Sequence, residues 1–394
     1  MSGALEGVRV VDLTSMISGP LATRILGDQG ADVIKVEPPG GGDLVRKLGS
    51  TRRGMAPTFA TVNRNKRSLV LNLREARGRQ LLERLVADAD VFVQNFRPGT
   101  AERMGLGEPK LRRLREDLIY VSISGFGEAG PYARKRVYDP LIQALSGLAD
   151  VQADRETGRP QMVRLIVPDK LTAVAAAQAI TAALFARERS GLGQHVRLSM
   201  LDAMIAFLWP EAMAGYTWVG NESDRSRPQL AQDLVFETAD GFITAGAVSD
   251  AEWQGFARAV GHPEWLEDER FATPAGRVTH VRERLELMAE ALAGRSSAEW
   301  LEVLDAAQVP CAPILRRHQI LTHAQVEANA LLVEARHPHA GPIRQPRPAA
   351  RFDATPAEIR RQAPLLGEHT DEILAELGLA AGEIRALREA EVVA

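Results

Sequence analysis

The sequence predicts an α/β protein, a large doubly wound (Rossmann-like) domain accompanied by a smaller α+β domain. Three observations carry that expectation. Short β-branched runs alternate with helix-length segments through the first half of the chain; the composition turns polar near residue 221, after which a different pattern follows; and 394 residues exceed what one hydrophobic core normally serves. Strands separated by helices at this spacing imply βαβ units and a mainly parallel sheet.

Residues 8–13, Val-Arg-Val-Val-Asp-Leu, read as a buried strand, with a helix over 20–29. Further strands are predicted over 31–37, 68–73, 89–95 and 118–124, and a helix over 75–87. A long alanine-rich helix over 169–190 is ended by Gly191 and Gly193, and a strand over 195–200 and an apolar helix over 201–214 follow. The polar, proline-terminated stretch 221–228 reads as a linker. Beyond it, apolar segments 234–236 and 242–247 flank Asp240-Gly241, a pair that favours the tight turn of a hairpin. Helices are predicted over 250–260, 280–294 and 297–307. Residues 333–356 are rich in Pro, Arg and His without apolar periodicity, and read as an extended return segment before closing helices over 371–377 and 381–389. The expected organisation is a first part of the large domain over 1–220, a small α+β domain over 221–330, and a return segment with C-terminal helices over 331–394 that packs on the large domain.

A formal net charge of −3 gives no basic footprint for nucleic acid. The single cysteine, Cys311, excludes an intramolecular disulfide framework and suits a reducing cytoplasm; between two prolines and with no neighbouring base, it reads as a small apolar residue. The first seven residues lack the basic-then-apolar pattern of a signal peptide. The most apolar stretch, 171–186, is shorter than a bilayer requires and carries Thr172, Gln178 and Thr181, so a core helix is expected and no membrane insertion. His337 and His339, with Glu334, show no pattern that would bring them onto one face, so no metal site is expected. Neither G-x-S-x-G nor H-E-x-x-H occurs, which removes two common hydrolase motifs.

A literal G-x-G-x-x-G runs from Gly125 to Gly130, but Pro131 and Arg134-Lys-Arg136 follow it instead of an apolar helix, so the dinucleotide fingerprint lacks its context. Three cationic clusters lie beside separate strands: Asn63-Arg-Asn-Lys-Arg67, Asn95-Phe-Arg-Pro-Gly99 with Arg103, and Arg134-Lys-Arg136. Such clusters are commonly solvated loops; they also suit a phosphate-bearing ligand, because arginine pairs bidentately with phosphate oxygens. Asp169, in Leu165-Ile-Val-Pro-Asp-Lys-Leu-Thr172, stands directly before the long helix. There it reads either as an N-cap or as a nucleophile that the helix terminus keeps ionised.

Taken in order, a set of short motifs resembles the class III coenzyme A transferases (the CaiB/BaiF type, which includes formyl-CoA and carnitine-CoA transferases). They are Gly19-Pro20, Gly30-Ala-Asp-Val-Ile-Lys-Val-Glu-Pro-Pro39, Gly42-Asp43, Asn63-Arg-Asn-Lys-Arg-Ser68, Asn95-Phe-Arg-Pro-Gly99, Ser124-Gly-Phe-Gly127, Gly130-Pro131, Tyr138-Asp139, Asp268-Glu-Arg-Phe-Ala-Thr273, Val309-Pro-Cys-Ala-Pro313 and Leu366-Gly-Glu-His-Thr370. The similarity runs from Gly7 to about Gly378. It implies an interlocked homodimer, and an enzyme that moves CoA from a donor such as succinyl-CoA to a small carboxylic or dicarboxylic acid. It also implies that Asp169 is the catalytic nucleophile, forming a covalent aspartyl-CoA thioester. CoA contacts are implied at Asn95, Phe96, Arg97, Arg103 and Met104, with Arg136 and Tyr138 nearer the pantetheine. CoA is then a substrate, and no prosthetic group or metal is implied. Two departures bear on specificity: Ile17 stands where formyl-CoA transferases carry glutamine, and residues 241–249 do not reproduce their glycine-run loop. Tyr138 stands where the related α-methylacyl-CoA racemases carry a histidine, which weakens a racemase or epimerase alternative. A noncatalytic CoA-binding subunit is the alternative from another class.

Overall fold

Six parallel strands organise the larger of two units: β1 (Arg9–Leu13), β2 (Asp32–Glu37), β3 (Lys66–Val70), β4 (Val91–Gln94), β5 (Ile119–Ser124) and β6 (Gln194–Ser199), in the order β3-β2-β1-β4-β5-β6. The computed structural model describes residues 3–154, 157–220, 222 and 233–394. The larger unit is Met1–Asp154, Arg159–Phe207 and Asn329–Ala394, and the smaller is Arg155–Gly158 and Leu208–Ala328. The predicted linker over 221–228 lies, apart from residue 222, outside the described residues.

Alternate strand residues serve opposite faces, as the period of two requires. Val10, Val33, Val91, Val93, Ile119 and Val121 pack with Ala22 and Leu26 of the Ser18–Asp28 helix and with Ala173, Ala176, Ala177 and Ile180 of the Val167–Ser190 helix. The run of alanines lets that long helix approach the sheet closely. Val11, Ile34, Leu69, Phe92 and Tyr120 face the other way, onto Leu81 and Leu85 of the Ala76–Ala87 helix and Ile373, Leu374, Ile384 and Leu387 of the two C-terminal helices, Thr370–Glu376 and Ala381–Glu389. The result is a doubly wound α/β/α sandwich. Its strand order reverses between β1 and β4, and in such sheets the crevice at the carboxyl ends of those strands is where ligands bind.

β3 begins at Lys66, two residues before the predicted start, and the five residues from Asn63 to Arg67 are all buried. Each cation there has acidic partners. Arg64 donates to both oxygens of Asp28 (3.0 and 2.8 Å) and to the carbonyl of Pro346 (2.7 Å). Arg67 binds Asp32, Glu372 and Glu376 at 2.6–2.9 Å. Asn65 adopts a left-handed φ of 60°, and its side-chain oxygen accepts from the amides of Arg360 and Arg361 (2.8 and 2.9 Å). This cluster, read from sequence as a candidate phosphate contact, therefore fastens the C-terminal return to the sheet.

In the smaller unit β7 (Val235–Glu237), β8 (Phe242–Ala245) and β9 (Cys311–Pro313) form an antiparallel sheet, with the predicted hairpin at β7–β8. Helices Asp250–Ala259, Val281–Leu292 and Ser297–Ala306 match the expected positions, and two of them open on capping boxes, Ser249 with Glu252 and Ser296 with Glu299. Trp253, Phe256, Phe271 and Trp300 fill its core. Cys311 is half-buried on β9 and burial raises its thiol pKa.

The return segment is more ordered than its composition suggested: β10 (Leu332–His337) pairs antiparallel with β11 (Gly341–Pro346). The prolines that hid the pattern sit where a two-stranded ribbon tolerates them, since each strand has only one neighbour. Buried His337 accepts from the amides of His339 and Ala340 (3.1 and 3.2 Å), a turn-stabilising role. Among the described residues no helix is long and apolar enough to cross a membrane.

Replacing Asp28 by Ala would leave the Arg64 guanidinium buried without its charge partner. A loss of about 3–5 kcal/mol is expected, read as a lowered urea midpoint.

Candidate active site

The turn after β1 is the centre of the switch-point crevice, and a buried polar strip shapes it. On the face covered by the Ser18–Asp28 helix, valines give way toward the carboxyl ends of β1 and β2 to Asp12 and Lys35, and Lys66 opens β3 on the same face; all three are fully buried. Asp12 accepts from Lys66 Nζ and Thr23 Oγ1 on one oxygen (both 2.8 Å), and from the Thr14 amide (2.9 Å) and hydroxyl (2.5 Å) on the other. Lys66 also donates to the carbonyl of Pro20 and to Asn63 Oδ1 (2.8 and 2.9 Å). Lys35 donates to Asp43 and to the carbonyl of Thr14 (2.9 Å each). Burial alone would raise the Asp12 pKa, yet the two ammonium groups hold its carboxyl well below the usual carboxylate range. Lys66 moves down, because burial and the neighbouring Lys35 outweigh Asp12. Lys35 moves up despite burial, because it faces Asp12, Asp43 and Glu37 together.

Asp169 stands in the first turn of the Val167–Ser190 helix, which opens two residues earlier than predicted, with Pro168 in its first turn. It is therefore not the N-cap. The cap-like bond comes from another helix: Asp139 Oδ2 accepts the Asp169 amide (3.2 Å), one of the amides a helix start leaves without a partner. The other Asp139 oxygen accepts from Gln143 (2.6 Å), and Gln143 in turn binds the amide of Val163 (2.9 Å) and the carbonyl of Leu165 (3.1 Å). Thus the Asp139–Leu145 helix fixes the segment that delivers Asp169. Gly125 makes room for the segment leading into that helix, since a Cβ there would fall 2.6 Å from the side chain of Val137.

The electrostatics of Asp169 run opposite to the helix-terminus expectation. Burial first, then the Asp139 carboxylate, push its pKa up to about 6, against the hydroxyl and backbone amide of Ser18, which favour the ionised form. Desolvation and a like charge outweigh the partial positive charge of a helix start, which is usually worth less than 1 kcal/mol.

The other predicted residues divide by what they touch. Both polar ends of the Asn95 side chain are committed to Ser15, accepting its amide (2.9 Å) and donating to its carbonyl (2.8 Å), so Asn95 ties the β4 loop to the β1 loop. Phe96 and Met104 pack partly against the sheet core. Arg97 is exposed and lines a cavity of about 350 Å³ with Gly99, Glu102, Ser122, His195 and Arg197. Arg103 is exposed and donates to Thr100 (2.8 Å). Arg136 and Tyr138 are exposed on the strand of chain leading into Asp139. Gly127 and Gly130 lie in a left-handed turn and not at a helix start, so the G-x-G-x-x-G match is a loop. Ser18 and the Asp12–Lys66 pair were not singled out from the sequence, and Asp139 entered only through the Tyr138-Asp139 motif, with no part assigned to it in holding Asp169. The Asp-Pro pair at 139–140 was the available signal, a proline inside a first helical turn.

A doubly wound sheet with a perturbed aspartate beside its switch point has the form of a ligand-binding enzyme site, and comparison with known proteins specifies the kind. The family model described as CoA-transferase family III matches residues 5–370. An acyl-CoA transferase from Fusarium pseudograminearum is 35% identical, covering 99% of this chain and 88% of its own. Succinyl-CoA:glutarate CoA-transferase of Mus musculus is 34% identical, covering 95% of this chain and 86% of its own. The solved structure of a CAIB/BAIF family protein from Brucella suis superposes with a TM-score of 0.82 at 31% identity, covering 96% of this chain and all of the other. The chain belongs to CoA-transferase family III, and its activity is transfer of CoA between acyl-CoA and carboxylate substrates.

A carboxyl whose folded pKa lies above its unfolded value of 3.8 leaves stability intact below that value and removes it as pH rises toward about 6. Asp169→Asn is therefore expected to melt with wild type near pH 4 and above it at pH 7; a melting-temperature series across that range checks the sign.

Proposed function

We propose that this enzyme moves CoA from an acyl-CoA donor, with succinyl-CoA the first candidate, to a small dicarboxylic acid through an Asp169–CoA thioester. The observation that carries the reading is a single carboxyl, pushed up to about 6, facing the amide and hydroxyl of Ser18 in the switch-point crevice. At neutral pH it is ionised yet more basic than an ordinary aspartate, which suits a nucleophile.

In this mechanism an Asp169 oxygen attacks the donor thioester carbon, and the CoA thiolate leaves, giving a mixed anhydride. The thiolate then attacks the aspartyl carbonyl carbon and releases the donor carboxylate. An acceptor carboxylate attacks the resulting aspartyl thioester, again expelling thiolate. The thiolate attacks the acceptor acyl carbon of the second anhydride and frees the Asp169 carboxylate. Each stage conserves an activated acyl bond. The Ser18 amide is the natural donor to the oxyanion that forms on the aspartyl carbonyl, a contribution that commonly amounts to a few kcal/mol.

On this reading Arg97 and Arg103 meet the phosphates of the CoA nucleotide, Phe96 and Met104 offer apolar contact, the Asn95 loop borders the site, and Arg136 and Tyr138 lie along the pantetheine. The buried Ile17 packs with Val45, Phe59 and Ala60 and presents no side-chain amide to the substrate, which favours a dicarboxylate longer than oxalate over the oxalate–formate pair. The mouse relative, named for succinyl-CoA and glutarate, supports the same choice. A racemase reading finds less support, because both Asp139 oxygens are occupied and Tyr138 stands in the histidine's place. An interlocked homodimer in a reducing cytoplasm fits the outward apolar Val174 and Phe185 of the long helix, which such an assembly would cover.

Incubation with succinyl-CoA and no acceptor, followed by hydroxylamine and peptide mass mapping, is expected to mark Asp169. The mark should form more slowly below pH 6 and be absent from Asp169→Ala, whose turnover should fall on the order of 10³-fold or more. A panel of donor thioesters that leaves Asp169 unmodified would sink the covalent route.

A further inference from the structure

Ser18 can meet Asp169 only if the turn from Thr14 to Ser18 keeps one shape, and side chains from outside the turn hold the backbone groups of Thr14 and Ser15, the Thr14 hydroxyl and the Met16 amide. Thr14 gives its amide and hydroxyl to Asp12, and its carbonyl accepts from Lys35. Ser15 exchanges both backbone groups with Asn95. Met16, in an unfavourable left-handed conformation with φ 69°, donates its amide to Asp43 (3.1 Å), whose other oxygen binds Lys35. The helix start is held from beneath, where Lys66 grips the Pro20 carbonyl and Asp12 takes the Thr23 hydroxyl. Turn and helix touch directly, for a Cβ on Gly19 would fall 2.4 Å from Thr14 Cβ.

Apolar residues of similar volume often stabilise a core as well as a buried ion pair does, so stability alone does not account for two lysines at this depth. We propose that Lys66 and Asp12 are positioning residues for the transfer reaction: their ion pair, coupled to Lys35–Asp43, locks the 14–18 turn so that the Ser18 amide and hydroxyl face the Asp169 carboxyl where the oxyanion develops. The inference rests on the reading of Asp169 as nucleophile. It assigns the buried lysines no contact with substrate; their effect passes through Thr14, Pro20 and Ser18.

The test compares wild type, Lys66→Met and Asn95→Ala, the last releasing the same turn from its surface side. Circular dichroism and melting temperature report folding, hydroxylamine trapping gives the rate of Asp169–CoA formation, and steady-state kinetics give KM for the acyl-CoA. A folded Lys66→Met is expected to form the adduct roughly 10–100-fold more slowly, the scale of an ångström's misplacement, with KM changed less than about threefold. An adduct rate within about twofold of wild type, or a change confined to KM, overturns the positioning role. Should Lys66→Met not fold, Asn95→Ala decides: slower adduct formation at unchanged KM supports the locked turn, and an unchanged rate or a raised KM alone overturns it. Wild type that forms no adduct overturns the Asp169 reading itself, whereas an adduct formed equally well by all three proteins overturns only this inference.

Discussion

The Lys66–Asp12 ion pair is the contact on which the larger unit turns. It spans β3 to β1 beneath the Ser18–Asp28 helix, at 2.8 Å and with both side chains inaccessible to water. An isolated charge at that depth is costly, so each group requires every partner it has. Asp12 therefore commits Thr14 and Thr23, and Lys66 commits Asn63 and the Pro20 carbonyl. Those commitments set the path of the chain at the end of β1. On either side of Lys66 the same segment reaches elsewhere: Arg64 and Asn65 hold the return segment, and Arg67 holds the Thr370–Glu376 helix. One short stretch thus fixes the crevice and the C-terminal layer together.

Charge within the crevice is arranged on a different principle from charge beneath it. Below, opposite charges are paired and desolvated together, which makes for rigidity. At Asp169, like charges are brought near each other and partly desolvated, which raises proton affinity. A carboxylate that holds its proton more tightly is also the better nucleophile, up to the point where it remains protonated at working pH. A value near 6 sits on the useful side of that limit. Asp139 serves both ends: its charge perturbs Asp169, while its oxygen binds the Asp169 amide and keeps the two apart at a fixed geometry.

The sheet was legible from the sequence because its strands are short β-branched runs between helix-length segments, and five of its six predicted strands overlap the observed ones almost residue for residue. β3 slipped because Lys66 and Arg67 look like loop residues until their partners are known, and those partners are up to 309 positions away in sequence. The β10–β11 ribbon escaped for a related reason: its residues pair with one another and with Arg64, while composition shows only Pro, Arg and His. Asp169 was visible as a carboxylate at a helix start, but its environment was not. The raised pKa comes first from burial that no local pattern encodes, and then from Asp139, thirty positions earlier.

Partner accounting, more than local charge density, separates the structural cations from those open to a ligand. The three clusters look equivalent in sequence. Arg64, Lys66 and Arg67 prove to be satisfied by Asp28, Asp12, Asp32, Glu372 and Glu376. Among the described residues Arg97, Arg134 and Arg136 are exposed and have no acidic partner. A cation already neutralised in the folded protein gains little from a phosphate, because binding would have to displace a charge partner of comparable strength; an unpaired arginine at a loop edge has only water to give up. The same reasoning leaves Arg97 of the β4 loop, with Arg134 and Arg136, open to an anionic ligand, whereas the charges that hold the β1 turn, Asp12, Lys35, Asp43 and Lys66, are already paired with one another.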